Sequence, residues 1–158
     1  MELSEMALAR RQFFSTLGKG LGFVALAASF PSMVMAKWNK KAFESTKLDE
    51  AIKSKFGDLP VVDGNGIKLK VPSIAENGSV VPVSVSTKMA NVKSIAIFIE
   101  NNPSPLAGAF NFGKNSIKDV SIRVRMGETS NLIALVEADG KLHKVQQEVK
   151  VTIGGCGG

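Results

Sequence analysis

The chain has 158 residues, 20 Lys plus Arg against 14 Asp plus Glu, and 44% hydrophobic side chains, the size and apolar content of one folded domain rather than of a disordered chain. One Cys, one His, one Trp and no Tyr exclude an internal disulfide and leave too few ligands for a structural zinc or iron–sulfur site, which draws about four from one chain. The net charge of +6 does not point to nucleic acid, because the cations are scattered among acidic residues with no run of five like charges.

Residues 1–36 read as an address. Arg10-Arg11-Gln12-Phe13-Phe14 and Leu17 precede an apolar stretch from Leu21 to Phe30, softened by Gly18, Gly20 and Gly22, and Val34-Met35-Ala36 follows it. Paired arginines, a weakly hydrophobic core and small or modest residues before the break make a twin-arginine export signal, cleaved after about Ala36, with a periplasmic product. The stretch is shorter than the ~20 apolar residues of a spanning helix, so no stable membrane anchor is expected. With no Cys near the break, lipoprotein processing is excluded. The mature chain, residues 37–158, has 122 residues, 17 basic and 12 acidic, once Arg10, Arg11, Lys19, Glu2 and Glu5 are gone. The twin-arginine route carries folded cargo. No cofactor motif is visible, so a partner subunit travelling with this chain is the simpler reason for that route.

The next segment, residues 37–57, reads as one amphipathic helix: Phe43, Leu48, Ala51, Ile52 and Phe56 recur mostly at three- and four-residue intervals, and Gly57 with Pro60 ends the run. From residue 58 to 153 the periodicity changes to two. Extended segments are predicted over Ile67–Val71, Val80–Thr87, Ser94–Glu100, Ala109–Phe112, Ile117–Met126, Asn131–Ala138 and Lys141–Ile153. In Ile117–Met126, Val120, Ile122, Val124 and Met126 point one way and Ser121, Arg123 and Arg125 the other, one face core and one wet. Ile95–Ile99 is apolar on both faces, which predicts cover on both sides, a partner being one source of it. Asn101-Asn102-Pro103-Ser104-Pro105 must be a loop, and it is expected to be the longest in the domain. Asp139-Gly140 favours the positive φ values of a two-residue type I′ turn, pairing Ala138 with Lys141 in a long hairpin. On its second strand Val145, Val149, Val151 and Ile153 share a face that Gln147 interrupts. These elements predict an all-β fold: an immunoglobulin-like antiparallel β-sandwich with one N-terminal helix and a flexible Gly-rich C-terminal arm, a barrel being the alternative.

Beyond Ile153 the chain ends Gly154-Gly155-Cys156-Gly157-Gly158, so its only thiol stands on a tail past the strand pattern. Glycine has the widest backbone freedom and no side chain to catch on neighbours, and the three residues from Gly154 to Cys156 span about 10 Å when extended. Such an arm suits insertion of a sulfur into a narrow pocket of another protein. It does not suit a fixed active site, since a catalytic thiolate needs a base or cation held beside it. Prenylation is excluded, because two residues rather than three follow Cys156. An intermolecular disulfide or a frayed terminus remains open at this point, though neither needs glycines on both sides of the thiol. Ubiquitin-like sulfur carriers also end in Gly-Gly, but they act through the terminal carboxylate, are cytoplasmic and are smaller.

The tail, with Val149-Lys150-Val151-Thr152-Ile153 before it, closely resembles the end of the SoxY family, the sulfur-substrate carrier subunits of the periplasmic thiosulfate-oxidising (Sox) system. Glu100-Asn101-Asn102-Pro103-Ser104-Pro105-Leu106, Arg125-Met126-Gly127-Glu128-Thr129 and Asp139-Gly140-Lys141-Leu142 resemble it too, and the resemblance covers the whole mature chain. It implies covalent substrate attachment at Cys156 on the arm formed by Gly154, Gly155, Gly157 and Gly158. It implies no cofactor beyond the bound sulfur intermediates and no catalysis by the protein itself. The implied partners are a second β-sandwich carrier subunit (SoxZ-like) in a heterodimer, a c-type cytochrome conjugating complex, a dimanganese sulfate-releasing hydrolase and, in some organisms, a molybdenum–haem sulfane dehydrogenase. Elsewhere, His143 is expected on the face opposite Leu142, Arg123 and Arg125 on a solvated strand face open to an anion or an acidic partner, and Trp38 at the start of the helix.

Overall fold

The computed structural model describes residues 39–152. The signal residues, including Arg10 and Arg11, lie outside that span, as do Trp38 and the tail from Ile153 to Gly158.

Two short helices replace the single one expected: α1, Lys40–Glu44, and α2, Leu48–Phe56. Ser45 breaks the run, its backbone extended and its hydroxyl donating back to the Lys41 carbonyl at 2.8 Å. Asn39 caps α1 through Oδ1, which accepts from the Ala42 N–H, and its Nδ2 donates to the Ser54 carbonyl of α2 at 2.8 Å, tying the pair together. Asp49 and Glu50 sit at the positive end of α2 and Lys53 and Lys55 at its negative end, and Gly57 closes it at φ +72°.

Nine strands follow: β1 Val61–Asp63, β2 Ile67–Lys70, β3 Ile74–Ala75, β4 Val81–Thr87, β5 Val92–Ile99, β6 Leu106–Asn111, β7 Asp119–Val124, β8 Ser130–Ala138 and β9 Lys141–Val151. They form a two-sheet sandwich. One sheet runs β1-β9-β8-β5-β6 with β3 also on β9, and the other runs β2-β4-β7. All pairings are antiparallel except those of β1 and β3, which lie parallel to β9 near its two ends. The Asp139-Gly140 turn has both φ values positive, +51° and +74°, and Ala138 pairs with Lys141.

The alternation in β5 explains its double apolar face. Ile95, Ile97 and Ile99 point at Val81, Val83 and Val85 of β4 and Val120 and Val124 of β7 in the core between the sheets. Ala96 and Phe98 point the other way, into a second core with Ala42, Ala51, Ile133, Leu135 and Leu142, against which Phe43, Leu48, Ile52 and Phe56 pack. The cover on that side is therefore the chain's own helix pair rather than a partner. Residues 95 to 99 are wholly buried within the single chain. The longest irregular stretch among the described residues is 112–118, not 101–105.

Candidate functional site

The tail that carries Cys156, Gly154, Gly155, Gly157 and Gly158 lies outside the described residues. What the structure does show is the ground from which it leaves.

The last turn of backbone before the tail is held from two sides. On one side β3 runs parallel to β9, pairing Ile74 with Lys150 and Ala75 with Val151. The Lys150 N–H donates to the Ser73 carbonyl at 2.9 Å and the Thr152 N–H to the Ala75 carbonyl at 3.1 Å. On the other side the Val151 N–H donates to Thr129 Oγ1 at 3.1 Å. Each anchor lies more than 20 residues away in sequence, so no local pattern announces it.

Around this exit three loops are cross-bonded. Asn102 Nδ2 donates to the Arg125 carbonyl at 2.7 Å while its Oδ1 accepts from the Gly127 N–H at 3.2 Å. Asn101 Nδ2 donates to the Thr129 carbonyl at 3.1 Å, and the Asn101 N–H donates to Ser130 Oγ at 3.0 Å. A side-chain amide is suited to this work because it donates and accepts at once. The Met126 N–H donates to the Gly78 carbonyl at 2.7 Å, bringing in the third loop. Gly78 has to be glycine: a Cβ there would stand 2.4 Å from the Met126 carbonyl oxygen and 2.8 Å from Val151 Cγ1. Two of the sequence stretches singled out above, Glu100–Leu106 and Arg125–Thr129, thus meet at the foot of the tail. The third, Asp139–Leu142, turns the hairpin at the opposite end of β9.

The remaining candidates are spread over the molecule. Arg123 and Arg125 are exposed, and among the described residues neither has an ion pair. Arg123 pairs across the strand with Pro82 on the outer face of the small sheet, where Ser84 and Ser121 share a hydrogen bond of 2.8 Å. His143 is half-buried; it lies opposite Val136 of the inter-sheet core rather than on a purely solvated face. The described residues hold no group of three or more His, Cys, Asp or Glu placed to share a metal ion, and no helix among them is long and apolar enough to cross a membrane.

Sequence reasoning missed β3, whose two residues are too few for a period, and with it Gly78 and Thr129 as anchors of the exit. The nearest available signal was the tandem Asn101-Asn102 before a proline, read as a loop and as part of the family resemblance but not as an anchor.

Comparison with known proteins gives these features a family. The model of the family described as sulfur oxidation protein SoxY matches residues 52–156, a span that runs to the lone Cys. No curated protein sequence matches. Among solved structures, the sulfur carrier protein SoxY from Chlorobium limicola f thiosulfatophilum is 46% identical, with a TM-score of 0.63 over 68% of this chain and 97% of that one. A superoxide reductase (neelaredoxin) from Ignicoccus hospitalis, 18% identical with a TM-score of 0.50 over 56% of this chain and 81% of that one, shares the fold alone. A family match that takes in the domain, the exit loops and the Cys position, together with that level of identity to a solved member, places the chain in the SoxY family of sulfur oxidation proteins.

Proposed function

We propose that the protein is a covalent carrier of sulfur intermediates in thiosulfate oxidation, with the substrate conjugated to the thiol of Cys156 on a glycine-flanked arm and presented to partner enzymes. The observation that carries this reading is the contrast at the end of β9: backbone fixed through Thr152 by β3 and Thr129, then the chain's only thiol four residues further on among glycines. Four extended residues reach roughly 13 Å, enough to enter a narrow channel while the domain stays outside.

The chemistry asks little of the carrier beyond a thiol that can reach. Oxidative conjugation joins the Cys156 sulfur to the sulfane sulfur of thiosulfate, releasing one proton and two electrons to a c-type cytochrome complex. Addition of water across the terminal sulfur–sulfonate bond then frees sulfate and a proton and leaves a persulfide on Cys156, the step assigned to a dimanganese hydrolase. A sulfane dehydrogenase, where one is present, oxidises what remains. Every bond that changes is on the arm. The protein is a substrate for these enzymes rather than a catalyst. A SoxZ-like second β-sandwich subunit in a heterodimer, folded and bound before twin-arginine export to the periplasm, accounts for a signal of that type on a chain with no cofactor motif.

The test is Cys156→Ser in a reconstituted system. Thiosulfate-dependent electron transfer and sulfate release are expected to vanish while urea unfolding shifts by no more than about 0.5 kcal/mol, because the residue follows the strand pattern in sequence and contributes no apolar position to it. Intact mass spectrometry of protein from thiosulfate-grown cells should show the adduct on the wild type and none on the variant. Turnover by the serine variant would remove the carrier reading.

A further inference from the structure

An asparagine followed by glycine carries a reaction within the chain: the glycine amide nitrogen attacks the asparagine side-chain carbonyl carbon, and glycine has no side chain to shield that nitrogen. The sequence has two such dipeptides, Asn65-Gly66 and Asn77-Gly78. Both asparagines are exposed, and among the described residues neither glycine N–H has a hydrogen-bond partner, so both nucleophiles are free. Their surroundings set the two apart.

Asn65-Gly66 is the middle of a turn in which the Ile67 N–H donates to the Gly64 carbonyl at 3.1 Å. The Asn65 side chain has no hydrogen bond among the described residues, and the nearest atom to a Cβ on Gly66 would be Met89 Cγ, 3.9 Å away. Asn77-Gly78 opens the turn in which the Val80 N–H donates to the Asn77 carbonyl at 3.2 Å, and Asn77 Oδ1 accepts from the Ser79 N–H at 2.9 Å. That second bond folds the side-chain carbonyl forward over the peptide joining Asn77 to Gly78, where the attacking nitrogen lies. It also sets a donor on the oxygen that becomes negative as the nitrogen adds. Behind this exposed front Gly78 is tightly seated. Its carbonyl accepts the Met126 N–H at 2.7 Å, and a Cβ on it would stand 2.4 Å from the Met126 carbonyl oxygen.

We infer that Asn77 is a self-modification site, and that its conversion to isoaspartate releases the backbone at the exit of the tail. The Gly78 nitrogen bonds to Asn77 Cγ and gives up its proton while the side-chain nitrogen departs as ammonia, closing a cyclic imide. Water then opens the ring at either carbonyl. Opening at Cγ leaves aspartate on an unchanged main chain. Opening at the Asn77 main-chain carbonyl carbon leaves isoaspartate, with the main chain running through Cβ and Cγ and longer by a methylene. The sum is amide plus water to acid plus ammonia, with nothing oxidised or reduced. The added methylene finds no room on the Met126 side, so Gly78 is pushed from its seat and the Met126 N–H loses its acceptor. At Gly66 the same insertion meets open space. The reaction needs no partner and is independent of what the tail carries.

The test ages the full chain in mildly alkaline heavy-oxygen water, folded and in urea, and follows both sites by peptide mass spectrometry with fragmentation that tells isoaspartate from aspartate. In the folded chain residue 77 should take up label at least about threefold faster than residue 65, a small part of what one preorganised donor supplies, and faster than it does itself in urea. Label at residue 77 that comes no faster than at residue 65, or no faster folded than in urea, overturns the site. In the fraction carrying isoaspartate at 77 the Met126 amide should exchange at least about tenfold faster, while that of Val149, buried and paired with Ser130, stays as it was. Unchanged Met126 exchange in that fraction overturns the release. Asn77→Asp supplies the new charge without the methylene and should keep Met126 at the rate of fresh wild type; a rise matching the aged protein gives the effect to charge and overturns isoaspartate as its cause. Asn77→Ser keeps an acceptor for the Ser79 N–H and has no amide to lose, so its Met126 exchange should not change with age. A rise equal to that of the wild type would place the damage elsewhere and overturn the assignment.

Discussion

Strand β9 begins and ends in different ways. Its first residue, Lys141, is placed by the dipeptide beside it: Asp139 and Gly140 hold positive φ and Ala138 comes opposite, the Asn91 amide donates to Asp139 Oδ1 at 2.9 Å, and β1 then pairs with Leu142, His143 and Lys144. Its last residues are placed by β3, Gly78, Thr129 and, through them, Asn101 and Asn102, none of which is a chain neighbour. A turn needs only to bring two strands together, and two residues suffice. A point from which the proposed arm departs has to be fixed before the glycines begin, and fixing it requires contacts from elsewhere in the chain. The two ends should therefore respond differently to substitution.

The largest effect is expected at the exit. Gly78→Val places side-chain atoms where a Cβ alone would already overlap the Met126 carbonyl oxygen, and backbone atoms must move to admit it. A cost of about 2–3 kcal/mol is expected in urea unfolding, typical of overpacking at a close backbone approach. Faster amide exchange at Met126 and Val151 should accompany it, with exchange at Lys141 unchanged. An equal rise at both ends of β9 would show that the exit is not a separately held unit.

A smaller effect is expected at the turn. Gly140 has open space around it, with nothing within 4 Å of an added Cβ, so only its φ of +74° opposes a side chain. Gly140→Ala should cost about 1 kcal/mol, the penalty of a left-handed conformation for an L residue. Enzymatic loading of Cys156 should be unaffected at temperatures where the variant remains folded. A loading defect there would mean that the whole of β9, and not its last residues, sets the presentation of the arm.

The same contrast separates what the sequence made legible from what it did not. Alternation in 117–126 and the Asp139-Gly140 dipeptide are local signals, and the wet outer face of β7 and the hairpin register follow from them. The helix was divided because one serine back-bonded to Lys41, a choice that its periodicity did not encode. The double apolar face of β5 was legible, but its cause was not: a period-two pattern announces that both faces are covered without saying by what, and here the helix pair supplies the cover. The thiol on its glycines could be read from five consecutive residues. Its foot could not, because β3 is two residues long and the Asn101, Asn102 and Thr129 bonds cross 20 or more residues of chain.

The smallest predicted effect is also the most specific to the exit. Thr129→Val keeps the shape of the side chain and removes the hydroxyl that accepts the Val151 N–H. That bond is at the surface, where water can replace the lost acceptor, so the global stability should fall by no more than about 0.5 kcal/mol. Local opening is another matter. With Thr129 Oγ1 gone, the last residues of β9 are held by β3 alone, through the Ser73 and Ala75 carbonyls. Exchange of the Val151 amide should accelerate severalfold while that of Val149, deep in the core and paired with Ser130, does not change. If a fixed foot matters to delivery, processing of Cys156 by the partner enzymes should slow while its alkylation by a small thiol reagent does not, because the reagent needs only access and the enzymes need a defined point of departure. Equal rates for the enzymes on wild type and variant, with Val151 exchange raised, would show that the freedom of the glycines already exceeds anything the foot restrains. The hydrogen bonds around the exit would then serve the fold and not the arm.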